Sequence, residues 1–343
     1  MNELSAYEAA ALKKIHSRVL KPTVFDKAMG LAPENVKNIV SSAKDKISNA
    51  VSLKDGAEAG FIRKGISRSL DGVNTFLAKS AQSITRRFDV KKDFAKAGFE
   101  VEVYSDIHKL DLEDVDKVKP ASLINYFSIA GLLGGAGAGL VITGGEVFMT
   151  ETAGAAAAPG FGTIAATLAA DAAAVQLLCH SVVAQTARYY GFDPESPDET
   201  LLALGVLNAG SALTQSSKYA ALADLSRMTQ RLARRATWER LNQTVISNIA
   251  NRFAKMMEVR LTKAGLSKLA PAAGIVLGAG SNYYIIHEVA VEADFYYRER
   301  FLNEKRGGGE ISVPLPSGPI DVSDSDSIDL FEIFEEEESA EDL

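Results

Sequence analysis

The side chains that could do chemistry are few and widely spaced. The chain of 343 residues contains four histidines and one cysteine. The stretch from His287 to Asp294, HEVAVEAD, is similar to a metalloprotease helix, but that motif needs a second histidine four residues after the first, and the residue there is Val291. Cys179 and His180 are adjacent, and adjacent residues do not face each other on a helix. Neither pattern predicts a nucleophile or a complete metal site.

A second possibility is a site assembled from distant polar residues. Acidic and histidine side chains on apolar helices could converge on a metal ion, namely Asp171, His180, His287, Glu288 and Glu292. In the same way, a soluble helical hydrolase could use Asp171, His180 and Glu288, provided that these groups come within hydrogen-bond reach. The alternative is that these polar groups are simply satisfied at helix interfaces. The sequence has no Gly-x-Ser-x-Gly elbow and no Cys-x-x-Cys pair, so we assign no catalytic residue, metal or cofactor.

Glycines recur at a spacing that favours close helix packing. Gly131, Gly135 and Gly139 are four residues apart, and so are Gly274 and Gly278. Residues four apart share one helix face, and small residues there let two backbones approach closely, as in small-xxx-small contacts between helices in lipid. The run GGAGAGL is not a phosphate loop, because no strand precedes it and no Gly-Lys-Ser/Thr follows.

Four uncharged runs leave the environment of these helices open. They cover residues 120–145, 152–170, 172–187 and 269–287. The first and last satisfy the length of roughly 20 apolar residues that a helix needs to span a bilayer. The middle two are mostly alanine, which is only weakly hydrophobic. One interpretation is a buried hairpin in a soluble bundle, and the other is insertion into a membrane.

A basic block follows these runs. Between Lys218 and Lys268 there are eleven lysines and arginines against three acids, a net charge of 11 − 3 = +8. Basic amphipathic helices beside apolar segments favour an anionic membrane surface, although a solvated basic face remains the alternative. We expect an anionic membrane surface or a membrane protein as partner, no nucleic acid, and a possible oligomer. The residues predicted to bind lipid are Arg227, Arg231, Arg234, Arg235, Arg252 and Lys255.

The C-terminal segment has the opposite charge. From Gly307 onward the sequence has twelve acids and no lysine or arginine. Its composition predicts a Gly/Pro linker and a disordered acidic tail over residues 306–343, which could shield the basic block in the same chain.

Nearly all the elements that must position these residues are helical. Apolar residues recur at spacings of three and four along most of the chain, and only residues 99–107 alternate like a strand. Gly191 is placed to end one helix, and Ser196, Pro197 and Glu199 predict an N-cap, first turn and capping box for the next. The fold class is therefore all-α, a multi-helix bundle around a Gly/Ala-rich apolar hairpin, with at most a minor β element near 99–107.

Several of these segments resemble the EcsC family. The likeness extends over roughly residues 60–305, and its anchors are Ala170-Asp171, the Tyr190 to Asp193 corner with Glu199, Asn282, and the run Tyr297 to Phe301. It implies a mostly helical fold and supplies no active-site residues that could be carried over to this sequence. The expected organisation is a helical segment over 1–58, an EcsC-like helical domain over 59–305, and the tail.

The expected function combines these observations. We expect a bacterial membrane-associated protein on the cytoplasmic side of the inner membrane, peripheral or partly embedded. The first residues carry no secretory signal, and a single cysteine fits a reducing compartment. The alternatives are the soluble hydrolase or metal-dependent enzyme described above, and a toxin or effector that permeabilises membranes.

Overall fold

The computed structural model of the protein is mostly helical, which confirms the all-α prediction. It describes residues 3–23, 26–27, 88–131, 157–234, 248–254, 256–257, 261, 281–320 and 328–341. The helices are α1 (Ala6–His16), α2 (Val90–Lys96), α3 (Leu112–Val118), α4 (Ala157–Tyr189), α5 (Pro197–Gly210), α6 (Gln215–Arg234), α7 (Ser281–Arg306) and α8 (Leu330–Glu341). Residues 123–131 and 248–254 are also helical.

The long helix α7 forms the centre of the described bundle. It packs against α4 and α5, and α5 packs on its other side against α6. Apolar side chains along α7, including Val289, Ala293 and Phe301, are fully buried. Helix α5 is buried on almost every side, because nearly all of its residues from Leu201 to Gly210 lie in the core. A helix that is apolar on every face requires neighbours on every side, and α5 has them.

The backbones of α5 and α7 come close together at Gly210. A Cβ added there would lie 2.9 Å from Val289 Cγ2, 3.0 Å from Val289 N, and closer still to Val289 Cα. Gly131 also faces α7, where an added Cβ would meet the Ile286 side chain and lie 3.4 Å from the Asn282 carbonyl oxygen. Gly135, Gly139, Gly274 and Gly278 lie outside the described residues, so the predicted glycine contacts there stay predictions.

The corner between α4 and α5 follows the sequence signals in part. Gly191 has φ of +89°, a conformation that favours glycine, and it lies two residues after Tyr189, the last residue of α4. Ser196 is the N-cap of α5 and Pro197 its first residue, as predicted, but the Ser196 side chain makes no capping hydrogen bond. Glu199 accepts two hydrogen bonds from Arg300 instead of closing the capping box, because the buried guanidinium is a stronger donor than the local backbone.

The minor β element is not where the sequence pattern placed it. Val19–Leu20 and Leu315–Pro316 form β1 and β2, a parallel two-residue pair. Residues 104–109 form a 3-10 helix, whose start is held by Asp106 accepting from the Glu102 and Val103 amides at 3.1 and 3.0 Å. This acidic side chain satisfies the backbone donors locally, so the segment has no need of a partner strand.

Helix α1 is attached to the bundle by its charges. Ser5 and Glu8 form a capping box, and Glu8 is buried. The Glu8 carboxylate also accepts from Lys305 Nζ at 2.5 Å and from the Leu112 amide at 3.1 Å. One carboxylate therefore joins α1 to α3 and α7.

Candidate functional site

Two basic helices contribute arginines to one surface. On α6, Arg227 and Arg231 are four residues apart and share a face, while Leu225 and Met228 are buried on the other. In the 248–254 segment, Phe253 is buried and the neighbouring Arg252 is 42% exposed. We call Arg227, Arg231 and Arg252 the basic surface.

The acidic helix α8 covers this basic surface. Arg231 pairs with Glu335, and Arg252 pairs with Glu336 at 2.8 Å and with Glu337 at 3.3 Å. At the other end, Arg227 lies 3.7 Å from the Asp329 carboxylate. Four acids of one segment therefore face three arginines from two helices.

Aromatic rings lie between these ion pairs. The Phe331 ring centroid lies 5.3 Å from the Arg227 guanidinium carbon and 5.2 Å from that of Arg231. Phe334 lies 5.3 Å from the Arg231 guanidinium carbon. Such cation–π contacts add about 0.5–1 kcal/mol each at exposed sites. The surface thus holds both carboxylates and flat apolar groups.

Part of the segment that the sequence predicted as a disordered tail, residues 328–341, packs on the core and is helical from Leu330. Ile328, Leu330, Ile333 and Phe334 are buried in the main core, and the Asn208 side-chain amide donates to the Ile328 carbonyl at 2.7 Å. The prediction of disorder rested on the overall acidic composition of residues 306–343, which hides the few apolar residues among the acids. Their spacing gives α8 one apolar face, and that face has a core to pack against.

A buried aspartate receives the beginning of α8. Asp224 accepts from the amides of Leu330 and Phe331 at 3.0 and 3.3 Å. Burial and the nearby Asp329 carboxylate raise the pKa of Asp224 to about 7, although these amides and Arg227 favour its charged form. The N-terminus of α8 is therefore bound by an acid that titrates close to neutral pH.

The acids of the HEVAVEAD stretch bind cations inside the bundle. Glu292 is buried and accepts from Arg18 Nη1 at 2.8 Å, and Lys218 Nζ lies 2.9 Å from its other oxygen. Lys218 also donates to Glu288 at 2.6 Å. Burial alone would raise the pKa of Glu292, but Lys218 and Arg18 lower it to about 2. These carboxylates join α7 to α6 and to the residues after α1.

No contact among the described residues brings together Asp171, His180 and Glu288, the residues predicted for a hydrolase site. Burial lowers the pKa of His180 to about 4, so its ring is neutral, and Glu288 is paired with Lys218. The Asp171 side chain lies outside the described residues. His287 stacks on Tyr283 with ring centroids 5.7 Å apart. Among the residues that the structure describes, no group of three or more His, Cys, Asp or Glu side chains could hold a metal ion.

A groove that sequence reasoning missed lies beside the α4–α5 corner. It has a volume of about 470 Å³ and is bounded by His108, Gly191 and Arg300. The Tyr190 carbonyl oxygen lies 3.0 Å from His108 Nε2, which must therefore carry the proton. Burial lowers the pKa of His108. Arg300 is already paired with Glu199, so its guanidinium is not available to bind an anion in the groove.

The remaining predicted lipid-binding residues are only partly described. Arg234 is the last residue of α6, but its side chain lies outside the described residues, as do Arg235 and Lys255. In the described part of the chain, no helix combines the length and apolarity needed to cross a membrane. Much of the uncharged runs, including residues 132–145 and 269–280, falls outside that part.

Comparison with known proteins identifies the family. The model of the EcsC protein family matches residues 2–302. The chain belongs to the EcsC family. In this EcsC protein the match includes all three arginines of the basic surface and also the N-terminal residues, whereas α8 lies beyond it. No curated protein and no solved structure matches the chain.

Proposed function

We propose that this EcsC protein binds an anionic membrane surface through Arg227, Arg231 and Arg252. The observation that carries the proposal is the set of ion pairs with α8: three arginines from two helices each face a carboxylate on the same side of the molecule. A surface that holds a row of carboxylates presents the charge and spacing that a row of phosphates requires. Arginine suits this role because its planar fork of donors matches phosphate oxygens.

The aromatic contacts favour a lipid surface over a dissolved anion. Phe331 and Phe334 occupy positions next to the guanidinium groups, so the arginines accept apolar groups beside their charged partners. A bilayer offers the same combination, with phosphates next to glycerol and acyl carbon. Each arginine near an anionic leaflet contributes about 1 kcal/mol, so three supply about 3 kcal/mol. We therefore expect a peripheral, salt-sensitive association, at the cytoplasmic face of the inner membrane.

Vesicle flotation tests this proposal. The full-length protein is mixed at low salt with vesicles of phosphatidylcholine containing phosphatidylglycerol, or of phosphatidylcholine alone. We expect flotation only with the anionic vesicles, and its loss as salt is raised, because salt screens exposed charges.

A pair of triple variants identifies the surface. Replacing Arg227, Arg231 and Arg252 by glutamine should weaken binding about 100-fold, the equivalent of about 3 kcal/mol. The control replaces three lysines that are exposed elsewhere and changes the net charge equally: Lys13, Lys14 and Lys92. Equal loss in both variants would mean that only net charge matters, and unchanged binding in the arginine variant would exclude this surface.

A further inference from the structure

Helix α8 occupies the surface that the proposed function assigns to lipid. We infer that the acidic half of residues 328–341 is an internal competitor, so that this half of α8 and an anionic membrane bind Arg231 and Arg252 in turn and never together. This inference rests on the proposed function and adds its regulation. Its structural basis is that each arginine already has a carboxylate partner from the segment beginning at Asp329.

The two ends of the segment are held differently. Its beginning is anchored by the buried side chains of Ile328 and Leu330 and by the hydrogen bonds to Asp224. Its second half is attached largely through charges: the Glu335 and Glu336 side chains are 49% and 53% exposed, although Glu337 is only 19% exposed. Exposed ion pairs contribute little and are screened by salt. The acidic half is therefore the part that a denser array of phosphates can displace.

The attachment of the segment to the rest of the chain makes it an efficient competitor. The strand pair of β1 and β2 holds Leu315 and Pro316, and eleven residues, 317–327, separate this point from Ile328. A connection of that length spans at most about 40 Å, and short tethers give effective concentrations in the millimolar range. A helix held at that concentration rebinds unless the competing surface is multivalent, as a membrane is.

The decisive variant removes the charges of α8 and keeps its apolar anchors. Glu335, Glu336 and Glu337 are changed together to glutamine. We expect this E335Q/E336Q/E337Q protein to reach half-maximal binding at about tenfold less anionic lipid than the control, because three weak ion pairs no longer compete. The control makes the same change of net charge at three exposed glutamates elsewhere: Glu100, Glu102 and Glu113.

Hydrogen exchange on the unmodified protein gives an independent readout. Anionic vesicles should speed amide exchange in residues 335–341 at least fivefold, and neutral vesicles should leave it unchanged. Faster exchange together with tighter binding of the tail variant supports the inference.

Other results overturn it in distinguishable ways. If the tail variant and its control bind alike while the arginine variant loses binding, the proposed function stands and the competitor is excluded. If the tail variant binds more weakly than its control, α8 belongs to the membrane-binding surface and is no competitor. If no form of the protein binds anionic vesicles, both proposals fail.

Discussion

Replacement of Gly210 by alanine tests whether the missing side chain at this position allows the backbones of α5 and α7 to contact each other. The new Cβ would lie 3.0 Å from the Val289 backbone nitrogen and closer to its Cα. Carbon atoms in good contact are about 3.5–4.0 Å apart, so α5 and α7 must separate by at least about 0.5 Å. Because the obstacle is backbone, no change of rotamer can relieve it.

The expected loss can be set against a gain from helix propensity. Overpacking a well-packed core costs about 1–3 kcal/mol, and alanine recovers at most about 1 kcal/mol relative to glycine. Both α5 and the Val289 region are buried, so we expect the upper part of this range and a net loss of about 2 kcal/mol. For a domain of about 300 residues that lowers the melting temperature by about 3 °C.

The measurement is urea and thermal unfolding followed by far-UV circular dichroism, with Gly205→Ala as control. Gly205 lies on the same helix, and a Cβ there would meet only the flexible end of the Leu225 side chain closely, at 2.7 Å. We expect this control to be within about 1 kcal/mol of the unmodified protein. A Gly210→Ala protein as stable as the control would refute the close backbone contact.

Three further predictions concern buried charge and one strained turn. Glu292→Gln leaves two buried cations without their shared acid, so urea unfolding should show a loss of about 3–5 kcal/mol at pH 7. The pKa of Glu292 is lowered to about 2. Its contribution to stability is therefore present above the ordinary pKa of 4.5 and should disappear as the pH falls towards 2. The pKa of Asp224 is raised to about 7, so the protection of α8 amides, corrected for intrinsic exchange, should decrease as the pH rises from 5 to 7.5, and Asp224→Asn should flatten that dependence. Gly191→Ala should lower the free energy of unfolding by about 1–3 kcal/mol because of its positive φ, and further because the new Cβ would lie 2.7 Å from the His108 ring. Gly98 has the same φ of +89° but nothing within 4 Å of an added Cβ. Gly98→Ala should therefore show only the loss from φ in the same unfolding assay.

Local signals in the sequence determined much of the secondary structure. Periodic apolar residues predicted an all-α fold because the pattern follows from helix geometry alone. Gly191 and Pro197 marked a helix end and a helix start because their effects act on their own backbone. The basic block and the acidic segment were also evident, since charge is a property of composition.

Tertiary structure decided which partners these residues received. Glu199 was expected to cap its own helix but binds Arg300 of α7. Among the glycines that the structure describes, Gly210 makes a close contact with the backbone of another helix, and it belongs to none of the four-residue series. The only strand pair in the described residues joins segments almost 300 positions apart in the chain. None of these pairings leaves a periodic trace in the sequence.

Helix α8 illustrates the physical reason. Its composition, rich in acids, resembles that of a disordered segment, and the apolar face formed by Leu330, Ile333 and Phe334 is too small to fold alone. The free energy that orders it comes from the core of other helices and from the arginines of the basic surface. The sequence specifies which faces are apolar or charged, but only the assembled bundle provides the surfaces that they cover.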